Sequence, residues 1–353
     1  MALVLVMAAA LWGIGVMMGT PRRMRWGMIG VLWMSVVLVH LILPEDHPLR
    51  LATGDTAAPW LLLAGAAALI VVYRQGLRWL RVRADGSPEP PAPQAVGLFS
   101  ETELGRYARH IVLREIGGPG QRKLKNARVL VIGAGGLGSP ALLYMAASGV
   151  GTIGVIDDDT VDGSNLQRQV IHTDERIGMP KVFSAQAAIT ALNPFVTVRP
   201  YNRRLAPDIA RDLFAEYDVI LDGTDNFDTR YLANEVAHEL GKPLISGALS
   251  QWEGQLTIYD TAHDTPCYRC IFPERPAPGL APSCAEAGVF SPLPGMIGTM
   301  MAGEAVKLIT GAGAVLRGAM MIHDALYSET RRITLKKRAD CPVCGPKPEE
   351  TSP

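Results

Sequence analysis

Aromatic residues make up only 6% of the 353-residue chain, too few for a platform that stacks nucleic-acid bases. Cysteine is scarce as well. There are five, all between Cys267 and Cys344, which argues against a disulfide framework spread through a secreted fold and for one local site. Glycine and proline number 36 and 26 but follow no repeat period, which excludes a collagen-like chain. With 48% apolar and 19% charged residues, the chain is not disordered by composition. Lysine is missing from residues 1–83, where eight arginines face three acids. The net charge of zero therefore hides a basic front end and a slightly acidic body.

Three stretches in that front end carry no Asp, Glu, Lys or Arg: 2–19, 26–43 and about 59–73. The first two are 18 residues long, near the ~20 needed to cross ~30 Å of hydrocarbon. The third is shorter, but 75–80 can extend it if Arg74 and Arg78 snorkel to the interface. A secretion signal places its basic residues before the apolar run, whereas Arg22, Arg23 and Arg25 follow it here. We therefore expect three transmembrane helices with the N-terminus outside, because arginine-rich loops stay in the cytoplasm. An odd number of spans leaves the body cytoplasmic, on the inner membrane with access to ATP. The expected organisation is an anchor over 1–83, a Pro-rich linker over 84–98, a soluble domain over 99–346 and a short tail, 347–353.

The soluble part reads as a Rossmann-like, doubly wound α/β domain. Residues 128–132 (RVLVI) have the continuous apolar character of a buried parallel strand. They run into Gly133, Gly135, Gly136 and Gly138, then a helical stretch over 139–148. A second strand, 152–156, ends in Asp157, 19 residues past the last glycine. Glycines that admit a tight turn and close phosphate approach, with an acid for a ribose hydroxyl, make a nucleotide site. That pattern alone does not separate NAD from ATP. The block Ser164-Asn165-Leu166-Gln167-Arg168-Gln169 and the later Lys181 favour ATP, since fixed cations offset triphosphate charge. A strand over 218–222 leads to Asp225 and Asn226. An acid there, at the mouth of a parallel sheet, can hold Mg²⁺ beside ATP.

Together, the glycine run, the SNLQRQ block, Lys181 and the Thr224-Asp225-Asn226 triplet resemble the ubiquitin-activating superfamily, nearest to its bacterial MoeB and ThiF enzymes. The resemblance spans about 100–346. It implies ATP-dependent adenylation of the C-terminal glycine of a small ubiquitin-fold sulfur carrier, MoaD-like for molybdopterin synthase or ThiS-like for thiamine. It further implies that Gly136 lies against the nucleotide and Asp157 on its ribose. Asn165, Arg168 and Lys181 would address the phosphates, and Asp225 magnesium with Asn226 beside it. Arg109 would arrive from the second subunit of a homodimer.

Cys267-x-x-Cys270 and Cys341-x-x-Cys344 stand 70 residues apart and provide four soft ligands for a structural, tetrahedral zinc. Neither pair is expected to open a helix after a strand, as a redox motif does. The fifth, Cys284, falls in a Gly- and Pro-rich stretch where related enzymes keep a substrate loop, so a sulfur-transfer role stands beside that of bystander. His110, His172, His238 and His323 read as surface or packing residues. With no sulfurtransferase module after Cys344, a separate protein would donate the sulfur, and no nucleic-acid partner is expected. The competing readings are an NAD-binding oxidoreductase and an inactive membrane scaffold.

Overall fold

The computed structural model describes residues 2–54, 56–84, 97–275 and 287–346, with backbone only for Ala67, Arg78, Leu80 and 81–84. The expected linker falls almost wholly outside them, as do the tail 347–353 and Cys284. Two compact units divide the chain, one ending at Gln94 and the other beginning at Ala95.

The first unit is helical: α1 (Ala2–Met17), α2 (Arg22–Ile42), α3 (Pro48–Thr53) and α4 (Ala58–Ala84). Its small core holds Val4, Val36, Val37 and Trp60, while large apolar side chains such as Val31, Leu62 and Leu69 stay exposed. Two helical segments are long and apolar enough to cross a membrane, Arg22–Ile42 and Ala58–Leu77. The expectation of three is met only in part. α1 has 16 residues, about 24 Å of rise, because the chain turns at Gly19 with φ +66°. The third stretch, read as the shortest, belongs instead to the longest helix, 27 residues. Arginine is a good helix former, so Arg74 and Arg78 charge the helix without ending it.

The second unit opens with α5 (Glu101–Ile111), started by a reciprocal cap between Ser100 and Glu103. There follow α6 (Gly117–Asn126), β1 (Arg128–Ile132), α7 (Gly138–Ser148), β2 (Thr152–Ile156), α8 (Lys181–Leu192), β3 (Thr197–Tyr201), α9 (Pro207–Ala215), β4 (Val219–Asp222), α10 (Phe227–Glu239), β5 (Leu244–Leu249), β6 (Glu253–Tyr259), α11 (Tyr268–Ile271), α12 (Pro292–Thr310), β7 (Ala319–Asp324) and β8 (Glu329–Thr334). Among the described residues the strands form one mixed sheet in the order β3-β2-β1-β4-β5-β6-β7-β8. The first five in that order run parallel and the last three antiparallel. The strand read at 218–222 begins at Val219, and β3 was not anticipated.

Alternation along β1 builds both faces of the core. Val129 and Val131 pack with Ala141, Met145, Ile189, Ile297 and Met301 on one side. Leu130 and Ile132 pack with Phe214, Tyr217 and Tyr231 on the other. Strand order reverses between β1 and β4, the place where open α/β sheets bind ligands. Register aligns the strand ends there: Ile132 pairs with Ile156 and with Asp222, and Asp222 pairs with Ser246. The loops after β1, β2, β4 and β5 therefore converge on one point.

Candidate active site

A cleft of about 670 Å³ lies over those strand ends. Of the residues singled out in the sequence, Gly133, Gly135, Gly136, Asp157, Asn165, Arg168, Lys181, Asp225 and Asn226 line it. Gly138, Ser164, Leu166 and Gln167 are not among its lining residues, nor is Arg109. Gly138 serves the turn itself, since a Cβ there would stand 1.9 Å from the Gly133 carbonyl oxygen. Gly133 has φ +92° and donates its N–H to Ile156 at 2.9 Å, turning the chain sharply off β1. Ser164 is exposed and donates its N–H and hydroxyl to Asp162. The carbonyl of Gln167 accepts from the Ser291 hydroxyl.

Asp157 grips the loop that it faces. Its Oδ2 accepts from the Ala134 N–H at 2.7 Å and its Oδ1 from the Asp159 N–H at 2.8 Å. Burial raises this carboxyl above its ordinary pKa, against the pull of those two donors and of Lys181. A carboxylate has about four lone-pair positions, so two stay available to a ligand in the cleft.

The cations come with partners. Arg168 donates from Nη2 to Asn165 Oδ1 at 2.7 Å, which aims the guanidinium beside the glycine loop. Lys181 begins α8, buried, with Nζ 2.6 Å from Asp159 Oδ2. Asp159 is not among the residues singled out in the sequence.

Two acids near β4 divide their work. Asp225 is exposed at the cleft, and among the described residues it makes no hydrogen bond or ion pair. Asn226 caps α10 by accepting from the Thr229 N–H at 2.8 Å, so its carbonyl oxygen is committed to the helix. Asp222 is buried and accepts from Thr224 N and Oγ1 at 3.0 and 2.7 Å. Arg230 lies 3.5 Å from it and donates to Ser246 Oγ, to Gly247 O and to Thr224 O. Sequence reasoning missed this clamp. Arg230 sits on a helix and pairs across two strands, and no local spacing announces that.

Away from the cleft, the sulfurs of Cys267, Cys270, Cys341 and Cys344 lie within 4.8 Å of one another and all four residues are buried. The nearest contacts are 3.3 Å for Cys270–Cys344, 3.6 Å for Cys267–Cys341 and 4.0 Å for Cys267–Cys270. Tetrahedral zinc with ~2.3 Å bonds needs sulfurs about 3.8 Å apart. The donor set and spacing fit a Cys₄ metal. One expectation is corrected: Cys267 does stand at a helix start, as the N-terminal cap of α11. It follows β6 only after an intervening turn at 261–263.

A model of the ThiF family matches residues 107–343. The chain is 47% identical over 256 residues to a "Sulfur carrier protein adenylyltransferase" of Thermus thermophilus, covering 71% of this chain and 94% of that protein. Over 258 residues it is 49% identical to the "Probable adenylyltransferase/sulfurtransferase MoeZ" of Mycobacterium tuberculosis. That match covers 72% of this chain but 65% of MoeZ, so the chain spans about two thirds of that relative. Among solved structures, PaaA superposes with TM-score 0.60 at 24% identity, covering 75% of this chain and 82% of PaaA. Escherichia coli MccB with ATP gives 0.59 at 21%, covering 68% and 74%. Identities this low speak to the fold alone.

Proposed function

The chain belongs to the ThiF family, and from that premise we propose that it adenylates the C-terminal glycine of a small ubiquitin-fold sulfur carrier. The observation that carries this reading is the convergence of Asp157, Arg168, Lys181 and Asp225 on one cleft at the β1/β4 reversal. Identity of 47% to a sulfur carrier protein adenylyltransferase supplies the substrate class.

The chemistry follows from that cleft. The glycine carboxylate attacks the α-phosphorus of ATP, the bond from that phosphorus to the bridging oxygen breaks, and pyrophosphate leaves with its electron pair. The product is an acyl-adenylate ready for sulfur transfer. No proton has to move, so positioning and charge stabilisation supply the rate. Asp157 holds the ribose. Arg168 and Lys181 offset phosphate charge, each already fixed by a neighbour. Of the two acids near β4, Asp225 would hold Mg²⁺, because Asp222 is taken up by Arg230 and Thr224; the ion, when bound, neutralises charge on the phosphate oxygens. Beside an NAD-binding oxidoreductase, this set of cations favours a triphosphate.

The finer points extend the reading. The carrier is MoaD-like. Zinc binds the four cysteines and ties the end of the domain to the segment after β6. Two copies associate, and Arg109, exposed on α5 and outside its own cleft, reaches the partner's nucleotide. Residues 1–83 anchor the enzyme in the inner membrane with the catalytic unit in the cytoplasm. The test is ATP–pyrophosphate exchange by the purified chain with MoaD-like and ThiS-like carriers in turn. Carrier-dependent exchange is expected. Exchange or ATP hydrolysis indifferent to any carrier would overturn the assignment.

A further inference from the structure

His172 is buried and the reaction above gives it no task. Its two ring nitrogens are both engaged. Nε2 lies 2.8 Å from the Ala134 carbonyl oxygen, and Nδ1 lies 2.9 Å from Ser184 Oγ. A carbonyl oxygen can only accept, so Nε2 carries the proton and Nδ1 accepts from the serine hydroxyl. Burial, aided by Lys181 and Arg176, holds the ring pKa below its ordinary value, consistent with this neutral tautomer.

The bond to Ala134 matters because of what shares its peptide plane. Ala134 C=O and Gly135 N–H belong to one planar trans unit, in which the two groups point in opposite directions. Pulling the carbonyl toward the buried imidazole turns the Gly135 N–H the other way. Gly135 lines the cleft, and among the described residues its N–H has no hydrogen-bond partner. The preceding peptide is pinned as well, by Ala134 N–H to Asp157 at 2.7 Å. Ser184 belongs to α8, whose first residue is Lys181.

Resting on the nucleotide reading, we propose that His172 is a positioning residue that aims the Gly135 N–H at the phosphates. Through Ser184 it also ties that donor to the helix that begins with Lys181. Phosphate contacts at a glycine loop depend on preset backbone donors. Losing the imidazole therefore weakens the hold on phosphates and leaves the nucleoside end alone.

The experiment measures binding of ATP and of adenosine to the purified full chain by calorimetry. His172→Phe keeps a flat ring of similar size but removes both nitrogens. ATP affinity should fall about tenfold, with adenosine affinity unchanged. His172→Gln, whose amide nitrogen can replace Nε2–H, should recover most of the loss. Ser184→Ala, which frees the tautomer, should show a smaller loss in the same direction. Unchanged ATP affinity in a folded His172→Phe variant, or equal losses for ATP and adenosine, overturns the proposal. Should His172→Phe not fold, unchanged ATP affinity in Ser184→Ala overturns it instead. Failure of the unmodified chain to bind ATP would refute the nucleotide reading itself.

Discussion

Lys181 and Asp159 are joined twice. The Lys181 N–H donates to the Asp159 carbonyl at 2.9 Å, and the ammonium meets the carboxylate at 2.6 Å. The first link brings the loop after β2 against the start of α8, and the second holds the cation over the cleft before any phosphate arrives. Lys181 is 5% exposed at its side chain and Asp159 67%, so the lysine relies on this acid while the acid still reaches solvent. Much of the entropy of ordering a long side chain is thereby spent on folding and not on substrate binding.

Asp159→Asn keeps the shape and one acceptor but leaves the Lys181 charge unpaired. The loss of one charged hydrogen bond, about 1–2 kcal/mol, should lower the melting temperature of the nucleotide-free protein by roughly 2–8 °C. Triphosphate oxygens can replace the missing carboxylate, so saturating ATP should narrow the gap. Melting curves with and without ATP check this, and an undisturbed nucleotide-free Tm would show that the pair does not support Lys181.

Much of the cleft was legible because its parts are contiguous in sequence. Gly133 to Gly136, Asp157, Asn165, Arg168 and Lys181 all lie within two β–turn–helix crossings, where spacing reports geometry. Asp222 and Arg230 were not legible, since their meeting depends on β4 lying beside β5 and on α10 folding back over both. The sequence marks His172 only as a surface or packing residue. It is buried, but its bond to Ala134 spans 38 residues and has no periodic signature. In the helical unit, counting uncharged residues misjudged lengths, because Gly19 ends a helix that composition would continue and arginines prolong one that composition would end.

The cysteine cluster makes a separable forecast. Cys270→Ser or Cys344→Ser should cost bound metal and folding together, as structural zinc can contribute about 10–16 kcal/mol. Chelation of the wild type should unfold the catalytic unit in the same way. Cys284→Ala should leave metal and fold intact. Elemental analysis finding well-folded protein without zinc would refute the Cys₄ assignment.

Acid should expose the neutral state of His172. Its folded pKa lies below the ordinary value of about 6.5. The unfolded chain therefore takes up a proton first as pH falls. The associated stability is full above about pH 6.5 and is lost downward from there until the lowered folded value is reached. His172→Gln should flatten this part of the stability profile. Urea midpoints at pH 7.5 and 5.5 test it, and an equal drop in both proteins would assign the acid sensitivity to other groups.

Topology follows from the arginines. If α1, α2 and α4 all span, a phosphatase fused after Gly86 should be inactive and a cytoplasmic fluorescent reporter there bright. α1 is the segment in question, at about 24 Å against ~30 Å of hydrocarbon. Even without it, two crossings from the cytoplasmic Arg22–Arg25 loop return the chain to the cytoplasm, so the reverse pattern would mean that Arg22–Ile42 or Ala58–Leu77 does not cross, undoing the membrane proposal in this form.

Arg106 and Arg109 stand at i and i+3 on α5, yet only one is occupied at home. Arg106 donates to the Leu192 carbonyl at 2.7 Å and lies over the Phe195 ring. Arg109 is exposed and, among the described residues, has no hydrogen bond or ion pair. An arginine supplied in trans accelerates other phosphoryl transfers by ~10³–10⁵. If Arg109 completes the partner's site, Arg109→Ala should lose at least a large part of that range in pyrophosphate exchange. Asp225→Ala should be inactive for a different reason, the loss of the acid assigned to Mg²⁺. Mixing the two inactive variants then discriminates. In a mixed dimer one site takes Arg109 from one subunit and Asp225 from the other, so activity should return to about a quarter of wild type at random pairing: half of the dimers are mixed and each has one working site. Recovery that tracks the fraction of mixed dimers would establish the crossing. Absence of recovery, with mixed dimers demonstrated by mass spectrometry, would assign Arg109 to its own subunit or to no site.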